Sequence, residues 1–179
     1  MTGLMNKTRL LGISVLLMSA WSAKPLMAQF NTTDPNAFLR GEYSSCQGCN
    51  LQGADMSNQS HRNAQLRQAN LTNTNLSDAD FTGAFFTCSN LSNSNLSGGN
   101  FNFANFVDAN LSGVDLSNAD LSRADLSGAI IDSRTNLDGA NLDGARLGDA
   151  ATIYSPGMNV RTIERSTHTE SQRVQCNNR

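Results

Sequence analysis

The side chains best equipped for redox, metal or nucleophilic chemistry in this 179-residue chain are four cysteines and two histidines. Cys46 and Cys49 form a C-x-x-C, a spacing that serves a structural disulfide, a dithiol redox centre or half of a zinc site. A redox centre of this kind belongs in a βαβ setting, and no such pattern surrounds it. Zinc would need a second ligand pair, and Cys88 and Cys176 stand alone in the sequence. His168 has no neighbour able to share chemistry with it. No nucleophile–base pair and no phosphate-cradling glycine loop stands out. No catalytic residue, cofactor or metal site is assigned from these residues.

Charge narrows the partners. Thirteen basic residues face 15 acidic ones, for a net −2, so there is no polybasic footprint of the kind nucleic-acid binding requires. Residues 1–28 carry Lys7 and Arg9, then an apolar run from Leu10 to Trp21, then small residues up to Ala28. That order reads as a secretory signal peptide, cut after Ala28 or, as the competing choice, after Ala23. A membrane anchor is the other reading. The run is too short to cross ~30 Å of hydrocarbon at about 1.5 Å per residue. Removing residues 1–28 takes away Lys7, Arg9 and Lys24 and leaves 10 basic against 15 acidic residues. Export to the periplasm or the thylakoid lumen is expected, an oxidising setting in which cysteines are disulfide candidates first.

The elements that must position these residues follow from a period of five. An apolar residue recurs at Leu51, Met56, Leu66, Leu71, Leu76, Phe81, Phe86, Leu91, Leu96, Phe101, Phe106, Leu111, Leu116, Leu121, Leu126 and Ile131, with His61 as the exception. One extra residue near Thr135 shifts the register before Leu137, Leu142 and Leu147. Two positions before each stands a small residue, usually Ala, and between them usually Asn or Asp. Neither the helical period of 3.6 nor the strand period of 2 accommodates this. A chain that bends once per unit does. The small and apolar residues then point inward, the Asn or Asp outward, and the polar pair that follows makes the corner.

The spacing of twenty between Phe81 and Phe101, and between Phe86 and Phe106, predicts four units per coil with these rings stacked about one strand spacing apart. In that register His61 is a core-edge histidine. Asp132, Asp138 and Asp143, a calcium-like string in one dimension, fall on three different faces. Ser57, Ser77, Ser97 and Ser117 make a hydroxyl column able to order water, ice or an ion, although serine is also the common residue of such turns. Carried back from Leu51, the period puts Cys46 and Cys49 both inward, which predicts a Cys46–Cys49 disulfide clamping the first turn.

Units such as Ala109-Asn110-Leu111-Ser112-Gly113 and Ala119-Asp120-Leu121-Ser122-Arg123 resemble the pentapeptide-repeat family over about Cys46 to Ala151. The resemblance implies an all-β fold: a right-handed quadrilateral β-helix, here of about five coils. The start, Cys46-Gln47-Gly48-Cys49-Asn50-Leu51, is similar to secreted or lumenal cyanobacterial members. It adds no catalytic residue.

Around the repeat block of residues 46–151, residues 29–45 are expected to cap the first end and residues 152–179 to form a non-repeat tail. Thr33-Asp34-Pro35 signals a helix start and Gly41 a stop, so a short helix over 34–40 should lay Phe38 and Leu39 on the first coil. A partner-docking helix is the alternative. Phe85, Phe103 and Val107 break the polar outer pattern near Cys88 and form a candidate interaction patch. From Asn50 to Ala151 the block carries 5 Arg and 11 Asp, whereas the tail carries 4 Arg and 2 Glu. That attraction favours the tail returning along this edge to form Cys88–Cys176; a free, partner-binding patch is the other outcome.

Three function classes remain. The first is a rigid, non-enzymatic extracytoplasmic scaffold or binding module, a monomer or weak oligomer, whose partner is another protein. It neither inserts in a membrane once the signal is removed nor binds nucleic acid. The second is a DNA-mimicking topoisomerase-binding protein, as in some cytoplasmic members of the family, against which the export signal and the spread of Asp over several faces argue. The third is an enzyme, for which the edge around Cys88 is the only plausible cleft.

Overall fold

The computed structural model describes residues 34–148 and Cys176. The expected signal segment, the remaining tail and His168 lie outside the described residues. Within them the period of five governs the backbone. Parallel bridges join Asn50 to Asn70, Asn70 to Asn90 and Asn90 to Asn110, and equivalent bridges run in three further columns. Partners are twenty residues apart, so four units separate each residue from the one stacked on it. Pairing is confined to isolated bridges, because a chain that turns in every unit leaves one outward residue per side free to pair.

Each corner is a four-residue turn closed by a backbone hydrogen bond, as from the Ala54 N–H to the Leu51 carbonyl (3.0 Å) or the Ala104 N–H to the Phe101 carbonyl (2.9 Å). Outside the widened unit at 132–135 its third residue takes positive φ, +71° at Gly53 and +58° at Asn73, the geometry of a type II turn. The Asn or Asp before the inward leucine holds the corner from outside. Asp55 Oδ1 accepts the Ser57 N–H (3.0 Å) and Asn95 Oδ1 accepts that of Ser97. These same side chains join coil to coil, with Asn70 Nδ2 donating to Asn50 Oδ1 and Asn75 Nδ2 to Asp55 Oδ1, both at 3.1 Å.

Leucines and phenylalanines fill the axis, most with no exposed surface. Phe81 and Phe101 stack at 5.9 Å with planes 7° apart, and Phe86 and Phe106 at 4.8 Å with planes 2° apart. Where a polar residue takes the small inward position, its hydroxyl bonds to a turn carbonyl: Thr74 and Ser94 both donate to Leu71, Ser89 to Phe86 and Thr135 to Leu111. Burial of a hydroxyl is tolerated on that condition. The extra residue lies between Ile130, still twenty from its partner Asn110, and Asn136, which is twenty-one from Asp115. Thr135 fills the small inward site there, and Ile131, expected in an inner column, packs against the core while only half-buried.

At the first end, α1 spans Pro35–Leu39, shorter than the expected 34–40 because Asp34 serves as the cap, its carboxylate accepting the Asn36 N–H at 2.9 Å. Phe38 is fully buried and stacks on His61 at 4.8 Å; His61 in turn stacks on Phe81 at 5.3 Å. The helix therefore extends the aromatic column by one ring. No helix among the described residues is long and apolar enough to cross a membrane.

Candidate functional site

The side that departs most from the repeat runs from Phe103 at one corner, past Phe85, to Val107 and Cys88 at the next corner. Phe85 takes the outward position that Asn or Asp holds in most units, bridging Gln65 on one side and Asn105 on the other. Phe103 and Cys88 both stand at the third position of a turn, at φ +58° and +57°. Most corners put Gly, Asn or Asp there, since a side chain with a bulky Cβ substituent is crowded in the left-handed region. Val107 and Cys88 meet through the backbone, the Cys88 N–H donating to the Val107 carbonyl at 3.0 Å.

Exposure divides the three apolar residues. Phe103 is 55% exposed, whereas Phe85 and Val107 are half-buried. The Arg67 guanidinium lies over the Phe85 ring at 4.7 Å and that of Arg123 near the Phe103 ring at 5.2 Å, distances at which a cation is attracted to a π face. Composition alone did not single out these two arginines; the spacing of twenty from Phe103 could have pointed to Arg123, whereas Arg67, eighteen before Phe85, falls off the period. Ile130, 56% exposed in a column otherwise of Asn, was also missed. The rule that singled out Phe85 applies to it equally.

The cysteines pair as Cys46–Cys49 and Cys88–Cys176, with Cα atoms 5.3 and 5.5 Å apart. The first bridge is buried in the core, at 0% and 3% exposure; the second is half-exposed at the corner just described. The Asp108 carboxylate reaches within 4.8 Å of both Cys88 and Cys176 sulfurs. With the sulfurs bonded to each other, this trio offers no thiolate to a metal.

Other polar features serve the turns. In the serine column the Ser77 and Ser97 hydroxyls donate to the Asn two residues before them. Asp132 binds Arg134 and accepts the Gly113 N–H; the Arg134 hydrogen bond is the main reason its carboxyl is held below the usual range. Asp55 is likewise lowered, chiefly by the Ser57 side chain. At Asp80 burial pulls upward, and hydrogen bonds from Thr82 together with Arg62 outweigh it. Acidic groups thus alternate with Asn and Arg along the columns, as at Asp125 beside Arg146, and no continuous acidic face forms among the described residues.

A concavity of about 360 Å³ opens beside α1 between Tyr43, Ser44, Ser60, His61 and Arg62. Two of its polar side chains are paired. His61 Nε2 meets Gln59 Oε1 at 3.0 Å and Arg62 pairs with Asp80 at 3.2 Å. Burial depresses the His61 pKa, favouring the neutral ring.

Comparison with known proteins agrees with this repeat. A family described as Pentapeptide repeats, in 8 copies, matches residues 49–87, 62–98 and 89–128. Similar solved structures include a pentapeptide repeat protein of the Arabidopsis thaliana thylakoid lumen, 31% identical, covering 57% of this chain and 68% of that one at a TM-score of 0.41. HetL, a pentapeptide repeat protein involved in heterocyst differentiation regulation in the cyanobacterium Nostoc, is 23% identical over 67% of this chain and 63% of its own, at a TM-score of 0.39. Rfr23 from the cyanobacterium Cyanothece is 28% identical over 62% of this chain and 92% of its own, at a TM-score of 0.27. No curated protein matches the chain.

Proposed function

The chain belongs to the pentapeptide-repeat family, and from that premise we propose that it is a non-enzymatic, extracytoplasmic protein-binding scaffold whose contact face is the side carrying Phe85, Phe103 and Val107. The proposed architecture is the family's right-handed, four-sided β-helix, with about five coils, a helical cap over residues 29–45 and a non-repeat tail over 152–179. Export to a periplasm or thylakoid lumen is supported by the two disulfides, which persist in oxidising compartments. The Cys46–Cys49 bridge is proposed to be structural.

One observation carries the choice of face: Phe103 presents 55% of its surface from a backbone position that disfavours its own side chain. The turn gains nothing from a phenylalanine there, and the interior does not use it. Two surface rings, Phe103 beside Arg123 and Phe85 beneath Arg67, are the composition of a protein contact, in which aromatic and arginine side chains supply most of the affinity. The acidic residues favour no DNA-mimicking reading, because turns and arginines engage them column by column.

The test is cross-linking of the full chain in its own compartment, beside a Phe85→Asn/Phe103→Asn variant that restores the repeat's usual residues. A protein captured by the unaltered chain and lost from the variant supports the reading. Equal capture by both, or capture by neither, overturns the choice of this face.

A further inference from the structure

The two disulfides of this protein differ in almost every respect that governs thiol chemistry. Cys46–Cys49 is buried in the core and spans 3 positions. Its two residues are held by backbone hydrogen bonds, the Cys46 N–H to the Gln65 carbonyl (2.8 Å), the Cys49 N–H to the Cys46 carbonyl (3.2 Å) and the Asn70 N–H to the Cys49 carbonyl (2.8 Å). If it were opened, its thiols would stay side by side and close again. Cys88–Cys176 is half-exposed on a corner and joins residues 88 positions apart. Its re-formation depends on an effective concentration that falls as the connecting chain lengthens. A thiolate must also reach a sulfur before it can exchange, and only the second bridge is open to one.

We propose that Cys88–Cys176 is a selectively reducible modification site, opened by a dithiol reductant while Cys46–Cys49 stays closed, with the Asp108 carboxylate controlling which nucleophiles attack it. In the reaction one thiolate of the reductant attacks either sulfur, the S–S bond breaks, and a mixed disulfide forms. The departing cysteine thiolate takes up a proton. The reductant's second thiol then attacks the mixed disulfide, releases the other cysteine and leaves the reductant as its own disulfide. Two electrons pass to the protein. Asp108, within 4.8 Å of both sulfurs, repels an approaching thiolate and raises the pKa of the cysteine that leaves, which slows the exchange. The inference is independent of the proposed contact face, since it needs no partner at Phe103.

The experiment equilibrates the full oxidised chain with graded mixtures of reduced and oxidised dithiothreitol, quenches with acid, alkylates and maps each cysteine by mass. Cys88 and Cys176 should become alkylated at a reduced-to-oxidised ratio at least about tenfold lower than Cys46 and Cys49 require, with the far-ultraviolet dichroism unchanged. Reduction of both pairs together, or of Cys46–Cys49 first, overturns the proposal. In Asp108→Asn the reduction rate should rise about fivefold, the size expected of one screened charge at this distance; an unchanged rate removes Asp108 from it. A Cys88→Ser chain should keep its dichroism and its Cys46–Cys49 bridge. A chain that fails to fold without the second bridge makes that bridge structural and refutes a reversible role.

Discussion

Phe101 and Phe103 are two residues apart and occupy opposite worlds. Phe101 is fully buried, stacked between rings above and beside it, while Phe103 is 55% exposed at the corner that immediately follows. The difference separates two kinds of constraint. On the inner wall every residue is dictated by its neighbours one coil away, so that side-chain volume decides. At the corner the backbone is equally uniform, with φ near +57° whether the residue is Asn58, Cys88 or Phe103, yet side-chain identity is free to vary. A residue chosen against the preference of its corner is therefore better evidence of function than any residue inside.

The sharpest attempt to break this contrast is Phe101→Ala. Removing a fully buried ring from the column should cost roughly 3–5 kcal/mol in urea unfolding, and a loss below about 1 kcal/mol would show that the stack is not a close-packed core. Next comes Gly99→Ala, at the small inward position. A Cβ there would meet the Phe101 ring at 2.6 Å and the Leu96 carbonyl at 3.2 Å, so overpacking should cost about 1–3 kcal/mol. Ala79 and Ala119 occupy the equivalent sites one coil away on either side; replacing each of them by Gly should cost less than Gly99→Ala.

A smaller effect tests the aromatic column through its single titratable member. Burial lowers the His61 pKa below the ordinary 6.5, so the unfolded chain binds the proton more readily than the folded one. Stability is then complete above pH 6.5 and declines as pH falls from that value toward the depressed folded pKa. The urea midpoint of the unaltered protein should drop in that window, and that of His61→Phe should stay level. Asp55, Asp80 and Asp132, whose carboxyls are also lowered, act in the same sense but at more acid pH, losing their contribution only as pH falls below about 4. The smallest change belongs to Phe103→Asn. Asparagine suits the left-handed corner, and the exposed ring forfeits only a weak cation–π contact, so stability should shift by no more than about 0.5 kcal/mol. A loss above 2 kcal/mol would make Phe103 a structural residue and erase the contrast with Phe101.

Much of this architecture could be read from residue spacing because each coil repeats the same local problem. Phe81 and Phe101 revealed the four-unit register since only stacked rings recur together at twenty. Asp34 and Pro35 announced the cap helix through ordinary end chemistry. Harder to read were features that depend on side-chain reach across coils. Arg67 lies over Phe85 from a corner eighteen residues earlier, and long flexible side chains obey no period. Ile130 escaped notice because it sits next to Ile131, so two apolar residues in succession looked like one inward position. The widened unit between Ile130 and Asn136 was visible as an extra residue, but which of its members would turn outward depended on Thr135 finding a carbonyl partner in Leu111.

That widened unit carries a lesson about growth. An added residue in an ordinary helix or strand rotates or inverts everything downstream, whereas here the columns resume in phase at Asn136, Asn141 and Arg146, each displaced by one in number and by nothing in space. The shaft counts storeys, not steps. Insertions of one residue at an edge are absorbed within a single storey, and whole storeys can be gained or lost without disturbing those above and below, so a lineage of such rods can change its length while a contact face at mid-height stays where it was.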